Sequence, residues 1–272
     1  MQWKDATYRI VAWFQHYLSA WNTGGEGIHS PYLFHLVRMH IYDTNYYYCW
    51  KDIEQRRACM LHSSSLISVQ DFGSKGRGRC SEQMISQIAK HSLESPKVAQ
   101  LFFRLISFLS SDLHRPLRIV ELGTNLGITT SYFALAHSRN EIITFEGSHE
   151  LLRLAKKNWQ HLGITAIHPI EGNIDNTLYT YAREKIDFAF IDANHDFAPT
   201  LRYFDYLASL VHDKTIIAID DIHYSTKMNK AWKQIQADSR VSTTMDFYHF
   251  GLVFFDPRYI RKHYILKLHH HL

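Results

Sequence analysis

Two apolar patterns alternate along the second half and more of this chain. Short continuous runs rich in Ile, Val and Phe are followed by longer stretches in which apolar residues recur every three to four positions. Runs of the first kind predict strands buried on both faces of a parallel sheet; the second kind predicts amphipathic helices. Leu117, Ile119 and Val120 make the first run, which ends in Glu121. Others lie at 141–148, 165–170, 186–196 and 214–223, and two further strand-like runs follow at 241–248 and 250–256, with Gly251 between aromatic residues. Between them, helices are expected over 128–138, 148–162 (stopped by Gly163), 175–184 and 225–238, the last capped by Ser225. A helix over 96–110 leads in, with Val98, Leu101, Phe102, Leu105, Ile106 and Leu109 on one face.

The first 95 residues read differently. Trp3, Tyr8, Ile10, Val11, Phe14, Tyr17, Leu18 and Trp21 form a helical stripe over 1–22 that Asn22, Thr23, Gly24 and Gly25 end. Ser30-Pro31 has the form of a cap followed by an N1 proline, with His29 beside it. Residues 42–70 read as helix and then loop, with aromatic side chains at Tyr46, Tyr47, Tyr48 and Trp50. Glycine-rich 71–83, with Lys75, Arg77 and Arg79, suits a lid over an anionic ligand and equally suits a solvated loop. The organisation expected is a helical N-terminal segment or lid over 1–95, a doubly wound α/β domain over 96–262 and a tail over 263–272.

Candidate chemistry concentrates where the strands end. After Glu121 come Gly123, Thr124, Asn125 and Gly127, and then a helix. Gly123 permits a tight turn and close approach of a ligand, and Gly127 stands where the next helix offers unpaired N–H groups. A dinucleotide fingerprint needs a glycine where Thr124 and Asn125 stand, and lacks it here. The pattern acid-x-Gly-x-x-x-Gly resembles motif I of the class I S-adenosylmethionine-dependent methyltransferases; a plain strand–turn–helix packing loop would look the same. The resemblance covers 96 to about 256. It implies a Rossmann-like seven-stranded sheet with an antiparallel last strand. It also implies S-adenosylmethionine held by Glu121, Gly123, Thr124, Asn125 and Gly127, with Asp192 touching the cofactor from the fourth run.

On the second run, Glu146 stands about 25 positions after the first strand's end, where a carboxylate can accept protons from ribose hydroxyls, and Gly147 follows it. On the third, Asn173 and Ile174 fall where the family approaches the adenine, although Asn173 equally suits a helix cap. The fourth run ends in Asp192, Asn194, His195 and Asp196, the fifth in Asp220, Asp221 and His223. Carboxylates collected on adjacent strand ends repel unless a cation intervenes, and oxygen donors suit Mg²⁺, Mn²⁺ or Ca²⁺. These ends resemble the metal-dependent catechol O-methyltransferase branch, whose metal positions fall on Asp192, Asp220 and Asp221. His195 replaces the branch's lysine base, so His195 and Asp192 are the catalytic candidates, and Asp221 stands in place of an asparagine. His223 is a further candidate nitrogen ligand that would favour Mn²⁺ or Fe²⁺.

Composition narrows the classes. Of 272 residues, 46% are apolar and 21% charged, enough for a sizeable core. No apolar run approaches the ~18 residues of a membrane span, and 1–10 lacks a signal-peptide core, so no membrane and a cytoplasmic location are expected. Three cysteines without C-x-x-C spacing suggest neither disulfides nor zinc. A net charge of +4 is too mild to imply nucleic acid, and the base-accepting motif of nucleic-acid methyltransferases is absent after the fourth run. The terminal LHHHL carries no functional weight. The expectation is therefore methyl transfer from S-adenosyl-L-methionine to an oxygen of a small-molecule acceptor, with Mg²⁺ or Mn²⁺ assisting. The alternatives are metal-independent transfer to another acceptor and a non-catalytic module that binds the cofactor.

Overall fold

The structure is a computed structural model, and it describes residues 2–20, 25–73, 76, 78–180 and 184–268. The side chain of Trp3, the Trp21 and Asn22-Thr23-Gly24 helix stop, the Lys75 and Arg77 of the candidate lid, and 269–272 of the terminal histidine run lie outside the described residues. Ten strands follow in chain order: β1 Leu66–Asp71, β2 Arg79–Met84, β3 Arg118–Leu122, β4 Glu141–Glu146, β5 Ile167–Glu171, β6 Phe188–Ile191, β7 Ile216–Asp220, β8 Thr243–Asp246, β9 Phe250–Phe254 and β10 Lys262–Ile265. The first two form a hairpin, and the other eight belong to one sheet. The chain divides into two compact units, Thr44–Ala182 and Met1–Asp43 with Arg183–Leu272.

In the unit Thr44–Ala182, β3, β4 and β5 lie parallel in that order, with Val120 opposite Ile143 and Ile143 opposite His168. The apolar runs of β3 and β4 are buried because helices cover them, whereas β5, last in the strand order, has no buried residue. The leading helix, Pro96–Leu113, starts where Ser95 Oγ accepts the Val98 N–H and Pro96 needs no partner for a missing donor. It buries Val98, Leu101, Phe102, Leu105, Ile106 and Leu109, the face read from the pattern. Helix Trp50–Leu61 joins it: Trp50 and Ile53 pack with Ala99, Phe103, Ile128 and Tyr132.

The loop expected at the end of 42–70 holds β1, and the end of the 71–83 stretch holds β2; the two pair as a hairpin, with Leu66 opposite Met84 and Asp71 opposite Arg79. Only Ile67 and Val69 alternate inward, where they meet Leu126, Leu151 and Leu154, while β2 (RCSEQM) has no buried residue. Two inward side chains are too short a period to announce a strand; pairing and packing supply the rest.

In the other unit, β6 lies parallel to β7, β9 runs antiparallel to β7 and β8, and β10 lies parallel to β8. The antiparallel strand near the end was expected. The sheet has eight strands rather than seven because β10 forms from residues read as the domain's last residue and the tail. In KHYI only Tyr264 is buried, which hid the strand within a basic segment. Asp196 caps helix Phe197–Ala208, and Ser225, as expected, caps helix Thr226–Ala237 through the Met228 N–H. Gly251 faces Trp232 so closely that a Cβ would stand 2.4 Å from the ring.

Helix Gln2–Ser19 docks within this unit chiefly by polar contacts. His16 Nε2 lies 3.1 Å from Asp246 Oδ1, and the Tyr248 hydroxyl donates to the Arg9 carbonyl at 2.8 Å. Of its apolar stripe, Ile10, Val11, Phe14, Tyr17 and Leu18 are exposed. Ser30 caps helix Pro31–Leu36 as its sequence predicts, through the Leu33 N–H.

Candidate active site

Three loops converge after β3, β4 and β5. Gly123, at φ 101°, and Thr124 both donate their N–H to the Phe145 carbonyl, at 3.0 and 3.2 Å. Asn125 turns left-handed (φ 52°), and its N–H donates to Glu146 Oε2 at 2.8 Å. Glu146 Oε1 accepts the Ser148 N–H at 2.8 Å. From the third loop the Gly172 N–H donates to the Glu146 carbonyl at 2.9 Å, and Asn173 caps helix Ile174–Thr177 through the Asp175 N–H. Gly123, Asn125, Glu146, Gly147, Asn173 and Ile174 are therefore brought together. Each Glu146 oxygen accepts one backbone N–H, which fixes the carboxylate beside the turn. Asn125 Oδ1 is buried and has no hydrogen-bond partner among the described residues. Such an acceptor is costly unless a donor arrives.

Glu121 is turned into the scaffold. The hydroxyls of Thr130 and Thr144 both donate to its Oε2, each at 2.6 Å. With the Thr144 proton so used, Thr124 donates its own to Thr144 Oγ1 at 2.5 Å. A buried carboxylate thus ties β3, β4 and the following helix, Ile128–Ala136. Gly127 is required twice over: its φ is 72°, and a Cβ would lie 2.6 Å from Trp159 Nε1 and 2.8 Å from Ala155. Trp159 Nε1 donates to the Gly127 carbonyl at 2.9 Å and Asn158 to the Leu126 carbonyl at 2.8 Å, so helix His149–His161 clamps the turn.

Sequence reading missed Phe72, next to the candidate lid glycines. A Cβ on Gly147 would stand 2.4 Å from its ring, so Phe72 fills the space of the side chain that Gly147 lacks. Gln70 N–H also reaches Ser148 Oγ at 3.4 Å. Nothing in DFGS marks that contact; only the hairpin creates it. Asn158 and Trp159 were legible as helix, and their polar ends were not.

In the other unit, Ile191 stands opposite Ile219, which sets Asp192 and Asp220 level at the ends of β6 and β7. Asn194, left-handed at φ 61° and held by its side-chain bond to the Tyr203 hydroxyl (2.9 Å), turns the chain back. His195 Nε2 comes to 3.3 Å from Asp192 Oδ1, and Nδ1 to 3.8 Å from Asp221 Oδ2. Donor atoms of Asp192, His195 and Asp220 all lie within 4.8 Å of one another. Burial raises the Asp221 carboxyl above the usual carboxylate range; His195 opposes that shift and Asp192 adds to it.

His223 belongs to another group: its Nε2 lies 2.8 Å from Asp246 Oδ2, and Asn229 Nδ2 lies 3.0 Å from its Nδ1. It is thereby committed to Asp246 rather than offered as a metal ligand. Asp196 is spent on its helix cap and on Lys227 at 2.9 Å.

Residues 120–222 match the family model of a methyltransferase domain, a span that includes the motif turn, Glu146 and both aspartate-bearing strand ends. An O-methyltransferase from Bacillus cereus, crystallised with SAH, superposes with a TM-score of 0.56 at 18% identity, over 78% of this chain and 92% of that one. The fold is that of the class I methyltransferases. The SAH-bound methyltransferase PaMTH1 of Podospora anserina shares it, with a TM-score of 0.51 at 17% identity over 78% of this chain and 99% of that one. In sequence, O-methyltransferase hkm8 of Aspergillus hancockii is 29% identical over 170 residues, 61% of this chain. The match spans 63% of that relative's length. Within the methyltransferase fold the five parallel runs read from the sequence are β3 to β7.

Proposed function

We propose that this chain is an S-adenosylmethionine-dependent O-methyltransferase acting on a hydroxyl of a small molecule. The observation that carries the reading is the 2.8 Å hydrogen bond from Asn125 N–H to Glu146, which joins the glycine-bearing turn to the acid of the next strand. The donor set fits the cofactor. Glu146, a carboxylate anchored by two backbone N–H groups, is of the chemical type that accepts from ribose hydroxyls, and the unpartnered Asn125 Oδ1 suits an ammonium N–H. Gly123, Thr124 and Gly127 would shape the turn around the methionine portion, with Glu121 bracing it from behind. Gly147, Asn173 and Ile174 would border the adenine. When bound, S-adenosylmethionine supplies a methyl group activated by its positive sulfonium.

The acceptor hydroxyl falls to the β6 and β7 ends. An imidazole among carboxylates can hold a hydroxyl and take up its proton or offset the charge that develops on oxygen. Asp192, His195, Asp220 and Asp221 are that group. The reaction needs the acceptor oxygen in line with the sulfonium bond, so positioning carries most of the rate.

The test is transfer of a labelled methyl group to a panel of ortho-diphenols, monophenols and aliphatic alcohols. Label in an oxygen of at least one acceptor is expected. Cofactor binding without transfer to any of them would contradict the enzymatic reading and leave a binding module.

A further inference from the structure

The imidazole of His195 stands among the carboxylates it was expected to serve as a separate base, and its two nitrogens face different acids. We propose that Asp192, His195 and Asp220 are the three protein ligands of a divalent transition-metal ion, with one nitrogen and two oxygen donors. Asp221 is then the positioning residue of His195 rather than a ligand, and the site prefers Mn²⁺ or Fe²⁺ to Mg²⁺ or Ca²⁺. The inference deepens the methyltransferase reading and rests on it for its role in turnover, while metal binding itself does not.

Spacing is the first argument. Donors at ~2.1 Å from a six-coordinate ion stand about 3 Å apart when adjacent and about 4.2 Å apart when opposite. His195 Nε2 and Asp192 Oδ1 are 3.3 Å apart, the separation of adjacent ligands, and the whole set lies within 4.8 Å. Since opposite donors stand about 4.2 Å apart, a set within 4.8 Å closes on an ion by drawing its donor atoms together.

The second argument is the other face of the ring. Metal-bound histidines commonly present their second nitrogen to a carboxylate, which fixes the ring and its tautomer. Asp221 Oδ2 is 3.8 Å from His195 Nδ1, and Asp221 is held there by its left-handed backbone (φ 55°) and its carbonyl bond to the Tyr224 N–H. It does not cap the following helix, because Ser225 does.

The third argument is access. The side chains of Asp192 and His195 remain 21% and 32% exposed, so three ligands leave coordination positions open for water or an acceptor oxygen. Imidazole in the set shifts the preference from hard ions toward Mn²⁺, Fe²⁺ and their neighbours.

The experiment is a titration of the full-length, metal-stripped protein with Mn²⁺, read by electron paramagnetic resonance, with Mg²⁺ as competitor. One Mn²⁺ per chain is expected, with nitrogen modulation in its spin-echo envelope and weak displacement by Mg²⁺. His195→Ala should abolish the modulation and weaken Mn²⁺ by at least ~100-fold, and Asp221→Asn should weaken it about tenfold with the modulation kept. Circular dichroism verifies folding of each variant. No uptake of Mn²⁺, bound Mn²⁺ without nitrogen modulation, or equal displacement by Mg²⁺ would overturn the proposal. Calorimetry with S-adenosylhomocysteine on the same samples separates the two readings. Normal binding there with no Mn²⁺ uptake sinks the metal site alone, and Mn²⁺ uptake without it sinks the cofactor reading.

Discussion

Gly147 and Phe72 form a pair that can be tested one atom at a time. A methyl group on residue 147 would overlap the Phe72 ring, whose nearest atom lies 2.4 Å away. Gly147→Ala should therefore lower stability by about 1–2 kcal/mol, the cost of overpacking a partly yielding neighbour. Phe72→Ala should remove most of that cost, so chemical denaturation of the double variant should show coupling of about 1 kcal/mol. Additive effects would mean the ring does not occupy that space. Gly127→Ala meets a stiffer surround, since φ is 72° and both Trp159 and Ala155 stand within 2.8 Å. About 3 kcal/mol should be lost there, measured by urea unfolding.

At this scale Gly123, Glu146 and the aspartates were legible because each sits within a few residues of a strand end, where sequence neighbours are also neighbours in space. Phe72 was not: it reaches Gly147 across 75 positions through a hairpin with two buried residues.

At the scale of elements, helix Gln2–Ser19 docks on a charged group. Burial works against ionisation of Asp246, but hydrogen bonds from His16 and His223 outweigh it and hold the carboxyl well below the usual carboxylate range. Trp232 Nε1 and the Tyr248 N–H donate to it as well, at 3.1 and 2.9 Å. A carboxylate with a depressed folded-state pKa stabilises fully above its unfolded value of ~3.9 and loses that stabilisation as pH falls below it.

Wild-type unfolding free energy should thus decline as the solution is acidified below about pH 4, and Asp246→Asn should flatten that decline. At neutral pH the same variant should cost about 3 kcal/mol, since it strips a buried set of donors of their charged partner. Amide exchange over residues 7–19 should quicken with it; unchanged exchange would mean the helix is held otherwise. The helix itself was legible from its period. Its docked side was not, because the residues that hold it are His16 and the Arg9 backbone rather than the apolar stripe. β10 escaped for a related reason, since an edge strand with one buried side chain carries almost no period.

For the whole molecule, seven of the eight strands of the main sheet were readable, and β3, β4, β6 and β7 most directly, since they carry the apolar runs that a parallel sheet covered by helices demands. No described helix is long and apolar enough to cross a membrane. A ligand that binds only the folded chain stabilises it by mass action, about 2.7 kcal/mol at one hundred times its dissociation constant. S-adenosylhomocysteine should accordingly raise the midpoint of thermal unfolding, and NAD should not, because the motif turn lacks the second glycine of a pyrophosphate cradle.

Cofactor binding depends first on Glu146 and the turn bonded to it. Calorimetric titration with S-adenosylmethionine, on the wild type and on Glu146→Ala, tests that most directly. One site per chain should appear in the wild type, with affinity reduced ~10- to 100-fold in the variant, the worth of hydrogen bonds to a charged group. No binding to the wild type, or the same affinity in both proteins, would contradict it.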